Sequence, residues 1–421
     1  MRIARWITLW VTLSVLCLAA VGHAQSVAPK PRVRTITAFV RIDRANYEKQ
    51  VTDALAVLKQ AKAAFEKEGY EVQTVRVTTQ PFPEYVRGLS HDDALAFLRR
   101  YDEFIAQLAQ REKLSIDANI GPAMMRDTDD PAMADLLAEA LSGAKIINAS
   151  LFVAGDDGIH WRSVRAAAHV IKYASEHSPH SQGTFNFAAT AMLAPGAPFF
   201  PGSYHTGAGR QFSSGLEGAG IVDQAFGASG GSPQRALELL TAALTEHARV
   251  VERVGQTVAS QSGWTYLGFD PTPAPLKDVS IGAAIEKFIG GKFGASGTLL
   301  AASIITQAVK AVPVKQVGYS GLMLPVLEDA RLAQRWSERS YNIDSLLAYS
   351  AVCGTGLDTI PLPGDVTEKQ LAGMIADMAA LAVKWHKPLT ARLQPVVGKK
   401  AGEISDFNDP FLVNAVLQPL P

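Results

Sequence analysis

The stretch VRTITAFVRIDRANYEKQVTDALAVLKQAKAAFEKEGYEVQTVRVTT, residues 33–79, decides the fold class. Val33 to Ile42 alternates in the manner of a strand. From Tyr47 to Glu68 the period changes: Leu55, Leu58, Ala61 and Phe65 recur at helical spacing, and Gly69 stands where a helix ends in the left-handed conformation. Tyr70 to Thr79 returns to alternation, with Val72, Val75 and Val77 set among polar residues. Strand, helix and strand in so short a run form a βαβ step.

The same rhythm continues outward. Asp92 to Glu112 reads as an amphipathic helix, Leu114 to Ile120 as a strand, Pro131 to Leu141 as a helix with proline in its first turn, and Ala144 to Ala154 as an apolar strand. Trp161 to Glu176 is a further helix and Thr184 to Leu193 a further strand. Short apolar strands alternating with helices predict an α/β protein with a parallel sheet covered on both faces. Pro195 to Gly231, rich in Gly, Pro and Phe, breaks the rhythm and reads as a long loop of the kind that carries function. Helical patterns resume at Pro233 to Val254, Ile281 to Ile289, Gly297 to Val312, Glu328 to Arg339 and Glu368 to Trp385, with strand-like pieces at Trp264 to Phe269, Gly318 to Leu324 and Thr390 to Val397. No charged linker and no fixed repeat divides the chain, so one large domain over residues 25–421 is expected. So many βα steps without a boundary favour a closed or nearly closed barrel, with a wide open sheet as the alternative.

Composition narrows the partners. The 421 residues carry 40 Lys plus Arg and 40 Asp plus Glu, with 48% apolar residues and two cysteines, which excludes a disordered chain and a disulfide-stapled miniprotein. There is no basic run, so nucleic acid is not the expected ligand. Arg2 and Arg5, the uncharged apolar run Ile7 to Val21, and Gly22-His23-Ala24 before Gln25 have the order of a Sec-type signal peptide over residues 1–24. The expected location is therefore periplasmic or otherwise exported, with no stable membrane span after cleavage. The alternative is an uncleaved anchor. Cleavage leaves a slightly acidic chain whose one cysteine, Cys353, can form no intramolecular disulfide.

Three stretches are candidates for chemistry. Leu346 to Val352 delivers Cys353 into Gly354-Thr355-Gly356, where glycines let backbone amides approach a ligand, and Asp358 follows as a candidate acid or base. Cys353 has the placement of a nucleophile at a strand-to-loop junction; an inert buried thiol is the alternative. His205, in an aromatic and glycine-rich loop, is the best histidine for proton transfer. Gly290 to Thr298 leads a glycine loop into a helix, so Gly294, Gly297 and Thr298 are candidates for an anion. Asp270 ends a strand, and Glu328 and Asp329 follow another, as secondary acids. No pattern names a metal site, and no motif names a cofactor.

The runs VRTITAFV, GYEVQTVRV, FNFAATAMLAPGAPFFPGSYH, GYSGLMLPVLED, YSAVCGTGLDTIPLPGD and KPLTARLQPVVGKKAGE resemble the uncharacterised protein family 0210, also called domain of unknown function 711. The resemblance covers nearly the whole chain after residue 24. It implies a single α/β barrel of about ten strands, similar in fold to pyruvate formate-lyase and ribonucleotide reductase, in which a cysteine on a loop inside the barrel carries a thiyl radical. Cys353 is the analogous residue. Ser405 to Pro410 contains no glycine, and no Arg-Val-x-Gly motif occurs near it, so a glycyl-radical enzyme is not expected. The chain also departs from the family form by its signal peptide and by Val397, where a second proline of a Pro-Val-Pro-Gly-Lys run is expected. The expected function is an exported enzyme acting on a small polar or anionic metabolite by cysteine-centred nucleophilic or acid/base chemistry. Arg392 and Lys399 are the expected carboxylate partners. A non-catalytic periplasmic binding or scaffold protein is the alternative, and self-association is left open.

Overall fold

The computed structural model describes residues 30–420. The segment read as a signal peptide lies outside them. The elements run β1 (Arg32–Val40), α1 (Tyr47–Lys67), β2 (Val72–Thr79), α2 (His91–Glu112), β3 (Ile116–Pro122), α3 (Ala132–Ser142), β4 (Ile147–Gly155), β5 (Gly158–Ile159), α4 (Trp161–His177), β6 (Phe187–Ala191) and β7 (Gly209–Glu217). They continue with α5 (Ala219–Ala228), α6 (Pro233–Ser262), β8 (Thr265–Asp270), α7 (Ile281–Ile289), α8 (Thr298–Lys310), α9 (Ala330–Ser337), α10 (Ile343–Ser350), β9 (Gly356–Pro363), α11 (Glu368–Trp385) and β10 (Leu389–Val396).

The ten strands form one sheet in the order β8-β7-β1-β2-β3-β4-β6-β10-β9, with β5 beside β4. The fold is mixed α/β. The central run β1-β2-β3-β4-β6 is parallel, as the βα rhythm predicts. The outer pairs β7-β8 and β9-β10 are parallel within themselves but join the centre antiparallel, β7 on β1 and β10 on β6. Strand direction is set by the return path of the chain, which local periodicity does not carry. The region expected as one long loop contains β7 and α5. β7 reads GRQFSSGLE, a glycine- and serine-rich sequence that imitates a turn until two neighbouring strands pair with it.

Helical faces behave as the periodicity requires. In α1, Val51, Leu55, Leu58 and Phe65 are buried, each large apolar side chain contributing about 1.5–3 kcal/mol. Ser90 caps α2 by accepting from the Asp93 amide. Asp102, buried midway along α2, accepts from the amides of Lys145, Ile146 and Ile147 at 2.8, 2.9 and 2.9 Å, which ties the start of β4 to this helix. The loop before β7 folds back onto the sheet. Thr37 Oγ1 donates to the Pro198 carbonyl at 2.7 Å, Asn119 Nδ2 to the Pro201 carbonyl at 2.6 Å, and Ser203 Oγ meets Thr78 Oγ1 at 2.9 Å. Its Phe199 and Tyr204 join Phe152, Leu193, Tyr319 and Met323 in a small core separate from the main one. Among the described residues, no helix is long and apolar enough to cross a membrane.

Candidate functional site

A cavity of about 290 Å³ is lined by Arg34 of β1, Arg76 of β2, Asp117 of β3, Asn148 of β4, Asp358 of β9 and Arg392 of β10, together with Glu328, Asp409 and four phenylalanines. Strand alternation explains part of this convergence. On β2, Thr74 and Arg76 face the cavity while Val75 and Val77 belong to the main core. Register shifts explain the rest. β1 pairs with β7 as Val33↔Leu216 and then Thr35↔Gly215, so Arg34 is an extra residue on its strand. β9 and β10 pair as Leu357↔Ala391 and then Ile360↔Leu393, placing Asp358 and Thr359 opposite the single Arg392. Bulges of this kind bend a strand and re-aim a side chain. Thr359 takes φ +48, an uncommon conformation for a β-branched residue, directly beside Asp358.

The charged groups form a chain. Glu328 accepts from Arg34 Nη2 at 3.1 Å and from Arg392 Nη1 at 2.8 Å; Arg392 Nη1 also reaches Asp358 Oδ1 at 3.2 Å. Arg392 spends its remaining donors on the Phe185 carbonyl at 3.1 and 3.2 Å. Each of the three arginines has an aromatic face near its guanidinium: Arg34 over Phe411 at 5.5 Å, Arg76 over Phe200 at 4.7 Å and Arg392 over Phe185 at 4.3 Å. Burial raises the Asp358 carboxyl to about 6, with Arg392 opposing the shift and the Glu328 charge adding to it. Burial likewise raises Asp409.

Arg76 differs from the other two. Its Nε is buried with no hydrogen bond, and it lies 3.5 Å from Asp117 Oδ2, too poorly aligned to bond. Nor do its other nitrogens bond any described residue. Burial lowers its pKa to about 10, with Asp117 opposing, so it stays charged at neutral pH. A buried, charged guanidinium with only a loose ion pair and no acceptor for its Nε is an arrangement that a planar anion completes.

The expected site residues divide among several places. Asp358, Glu328 and Arg392 share this cavity. Cys353 does not: it is buried in a second cavity of about 280 Å³ with Tyr319, Ser320 and Lys387, and the two cavities have no lining residue in common. It also follows a helix, α10, rather than a strand. His205 lines neither cavity; it is 1% exposed, packs edge-on to Phe39 at 6.2 Å, and burial lowers its pKa so that it stays neutral. Asp270 accepts from the Thr272 hydroxyl and amide and from the Tyr319 and Ser320 amides at 2.5 to 3.1 Å, which fills the carboxylate with structural bonds. Asp329 is filled in the same way at two helix starts.

Gly354 and Gly356 serve backbone packing. A Cβ on Gly354 would lie 2.6 Å from Gly321 Cα, and one on Gly356, which has φ +92, would lie 2.5 Å from the Thr390 carbonyl oxygen. Gly294, Gly297 and Thr298 close a surface turn in which the Gly294 amide donates to Thr298 Oγ1 and that hydroxyl donates to the Ala295 carbonyl. Lys399 lies outside the cavity, 4.0 Å from Asp406. Among the described residues, no three His, Cys, Asp or Glu side chains are grouped to hold a metal ion.

Arg34, Arg76, Asp117 and Asp409 were not among the expected residues. Their signal was present: each of the first three is a charge inside a strand-like run. That reading takes the polar face of a strand to be solvated, whereas here it faces the cavity. The Cys353→Ala variant is expected to lose about 1 kcal/mol of stability, the cost of a small buried group, and to keep ligand binding at the arginine cavity unchanged in a thermal-shift titration.

The family described as uncharacterised ACR (DUF711) matches residues 28–408. A UPF0210 protein of Pyrobaculum aerophilum is 35% identical over 300 residues, covering 69% of this chain and 66% of that protein. One of Pyrobaculum arsenaticum is 31% identical over 360 residues, covering 82% and 78%. Among solved structures, the anaerobic ribonucleotide reductase from Thermotoga maritima in complex with dATP and CTP is similar with a TM-score of 0.41 at 9% identity, covering 86% of this chain and 75% of that one.

Proposed function

We propose, from the premise that the chain belongs to the uncharacterised DUF711 family, that the arginine cavity is the active site of an acid/base enzyme acting on a small metabolite bearing an acid group. The observation that carries this is the buried Arg76 guanidinium, whose Nε has no hydrogen-bond acceptor, in the same cavity as a carboxyl poised near neutrality. Arg76 anchors the substrate's acid group. Asp358, raised to about 6, is matched to accept and return a proton at physiological pH. Arg392 and Glu328 hold it in place and set its affinity for the proton. Cys353 has no part in this reading.

The test is incubation of the full chain with pools of small carboxylates in D₂O, followed by NMR for deuterium incorporation or consumption. Turnover is expected, and Arg76→Lys, which keeps the charge but loses the fork, is expected to weaken substrate binding about tenfold or more. Binding without turnover would replace the enzyme by a solute-binding protein.

Asp358 also makes a pH prediction. The folded chain keeps this proton at pH values where the unfolded chain, with an ordinary carboxyl near 3.8, has released it. The stabilisation is therefore complete below about pH 4 and lost as the pH rises through about 6. Asp358→Asn is neutral throughout, so its stability relative to the parent should rise between about pH 4 and pH 6 and level off above it in parallel urea titrations. A constant difference would contradict the raised pKa.

Closure of the sheet into a barrel belongs to the same proposal. Residues 315–327 span the gap between the two edge strands: Phe269 of β8 exchanges backbone bonds with Lys315 and Val317 at 2.9 and 3.1 Å, and Val326 donates to Asp358 of β9 at 3.0 Å. A closed wall would keep bulk water from the charged network. Export through residues 1–24 is likewise proposed, with a mature chain beginning at Gln25 as its check by mass spectrometry.

A further inference from the structure

We infer that the ligand of the arginine cavity is a zwitterion, a small α-amino acid or related amino carboxylate, with its carboxylate on the Arg76 fork and its ammonium group on Gln182 Oε1 and Asp409. The inference rests on the reading of this cavity as the substrate site and names the substrate class.

Two buried polar groups in the cavity lack partners, and they are of opposite kind. Arg76 Nε is a donor without an acceptor; Gln182 Oε1 is an acceptor without a donor. The amide orientation of Gln182 follows from its neighbour, because Nε2 donates to Asp409 Oδ2 at 2.9 Å and a carboxylate can only accept. Oε1 is therefore left over beside an acid. Asp409 itself accepts from the Phe411 amide at 2.8 Å and, among the described residues, has no arginine within ion-pair distance.

Charge balance selects among ligands. Arg34 and Arg392 are both committed to Glu328, and Arg392 to Asp358 as well. Arg76 and Asp117 form a loose ion pair at 3.5 Å that leaves Arg76 Nε without a hydrogen bond, and among the described residues Asp409 has no cationic partner. A dianion would satisfy Arg76 and place a second negative charge among four carboxyls; a simple cation would leave Arg76 Nε without an acceptor. A zwitterion answers both, and its ammonium supplies three donors where a hydroxyl supplies one. At roughly 30 Å³ per water-sized group, a cavity of about 290 Å³ holds on the order of ten non-hydrogen atoms, which suits a small amino acid.

The experiment is isothermal titration of the full chain with each of the twenty common L-amino acids, with lactate and malate as the hydroxyl analogues of alanine and aspartate, and with succinate and inorganic phosphate. Binding of at least one amino acid is expected, with lactate or malate at least tenfold weaker than its amino counterpart. Gln182→Met and Asp409→Asn should each reduce that discrimination to below threefold while leaving the hydroxy-acid affinity in place. If lactate, malate, succinate or phosphate binds as tightly as any amino acid, and Arg76→Lys abolishes that binding, the zwitterion is overturned while the cavity remains the substrate site. If neither class binds, or binding is indifferent to Arg76, both readings fall.

Discussion

Replacing Glu328 by alanine is expected to lower the stability of the folded chain by about 3–5 kcal/mol, the cost of breaking a buried ion pair by removing one partner. Glu328 is 8% exposed and is, among the described residues, the only carboxylate shared by Arg34 and Arg392, which are 7% and 8% exposed, so its loss takes a buried charge partner from both and leaves Arg392 with Asp358 alone. Arg34 would be left with Gln73 at 3.2 Å and the more distant Glu217 at 3.9 Å. Urea unfolding at neutral pH reads the effect. A loss below about 1 kcal/mol would mean that water screens the network as it screens surface pairs. Glu328→Gln offers an informative intermediate, because it keeps an acceptor while removing the charge that helps raise Asp358. The Asp358 titration should then move down, measured by NMR of the labelled carboxyl.

Its chain neighbour should behave differently. Asp329→Ala is expected to cost about 3–4 kcal/mol of stability and to leave ligand binding by the folded protein unchanged. Asp329 Oδ1 accepts from Ser280 Oγ at 2.6 Å and from the Arg331 and Leu332 amides at 2.9 and 3.0 Å. Its Oδ2 accepts from the Ile281 and Gly282 amides at 2.7 and 3.2 Å. One carboxylate therefore serves the first turns of both α7 and α9. Losing a cap costs about 0.5–2 kcal/mol, and a buried donor left unpaired about 1–3 kcal/mol. Thermal unfolding measures the first effect and a ligand titration below the transition the second. Loss of binding at unchanged stability would return Asp329 to the chemistry.

Adjacent acids with opposite roles illustrate what a linear reading carries. Glu328-Asp329 is visible as a pair, but which member faces a cavity and which caps two helices depends on what packs beside each. Asp270 and Gly356 repeat the lesson: both stand in motifs that look catalytic, and both are occupied by backbone contacts from distant segments. Arg392 was legible as a carboxylate partner, yet its partners are the protein's own Glu328 and Asp358. Arg76 was not legible, because an arginine in an alternating strand looks solvated until the face it occupies is known.

The amino-acid sequence by itself determined the α/β class, the positions of most helices and strands, the apolar face of each and the family, because periodicity, capping and motif are properties of neighbouring residues. Tertiary structure alone decided the direction of the outer strand pairs, the bulges that turn Arg34, Asp358 and Arg392 toward one point, and the separation of Cys353 from them. Those outcomes depend on strand register and on the chain's return path, where a shift of one residue exchanges the two faces of a strand. The charged cavity arises there, from side chains that lie far apart in sequence and become neighbours only when the sheet is assembled.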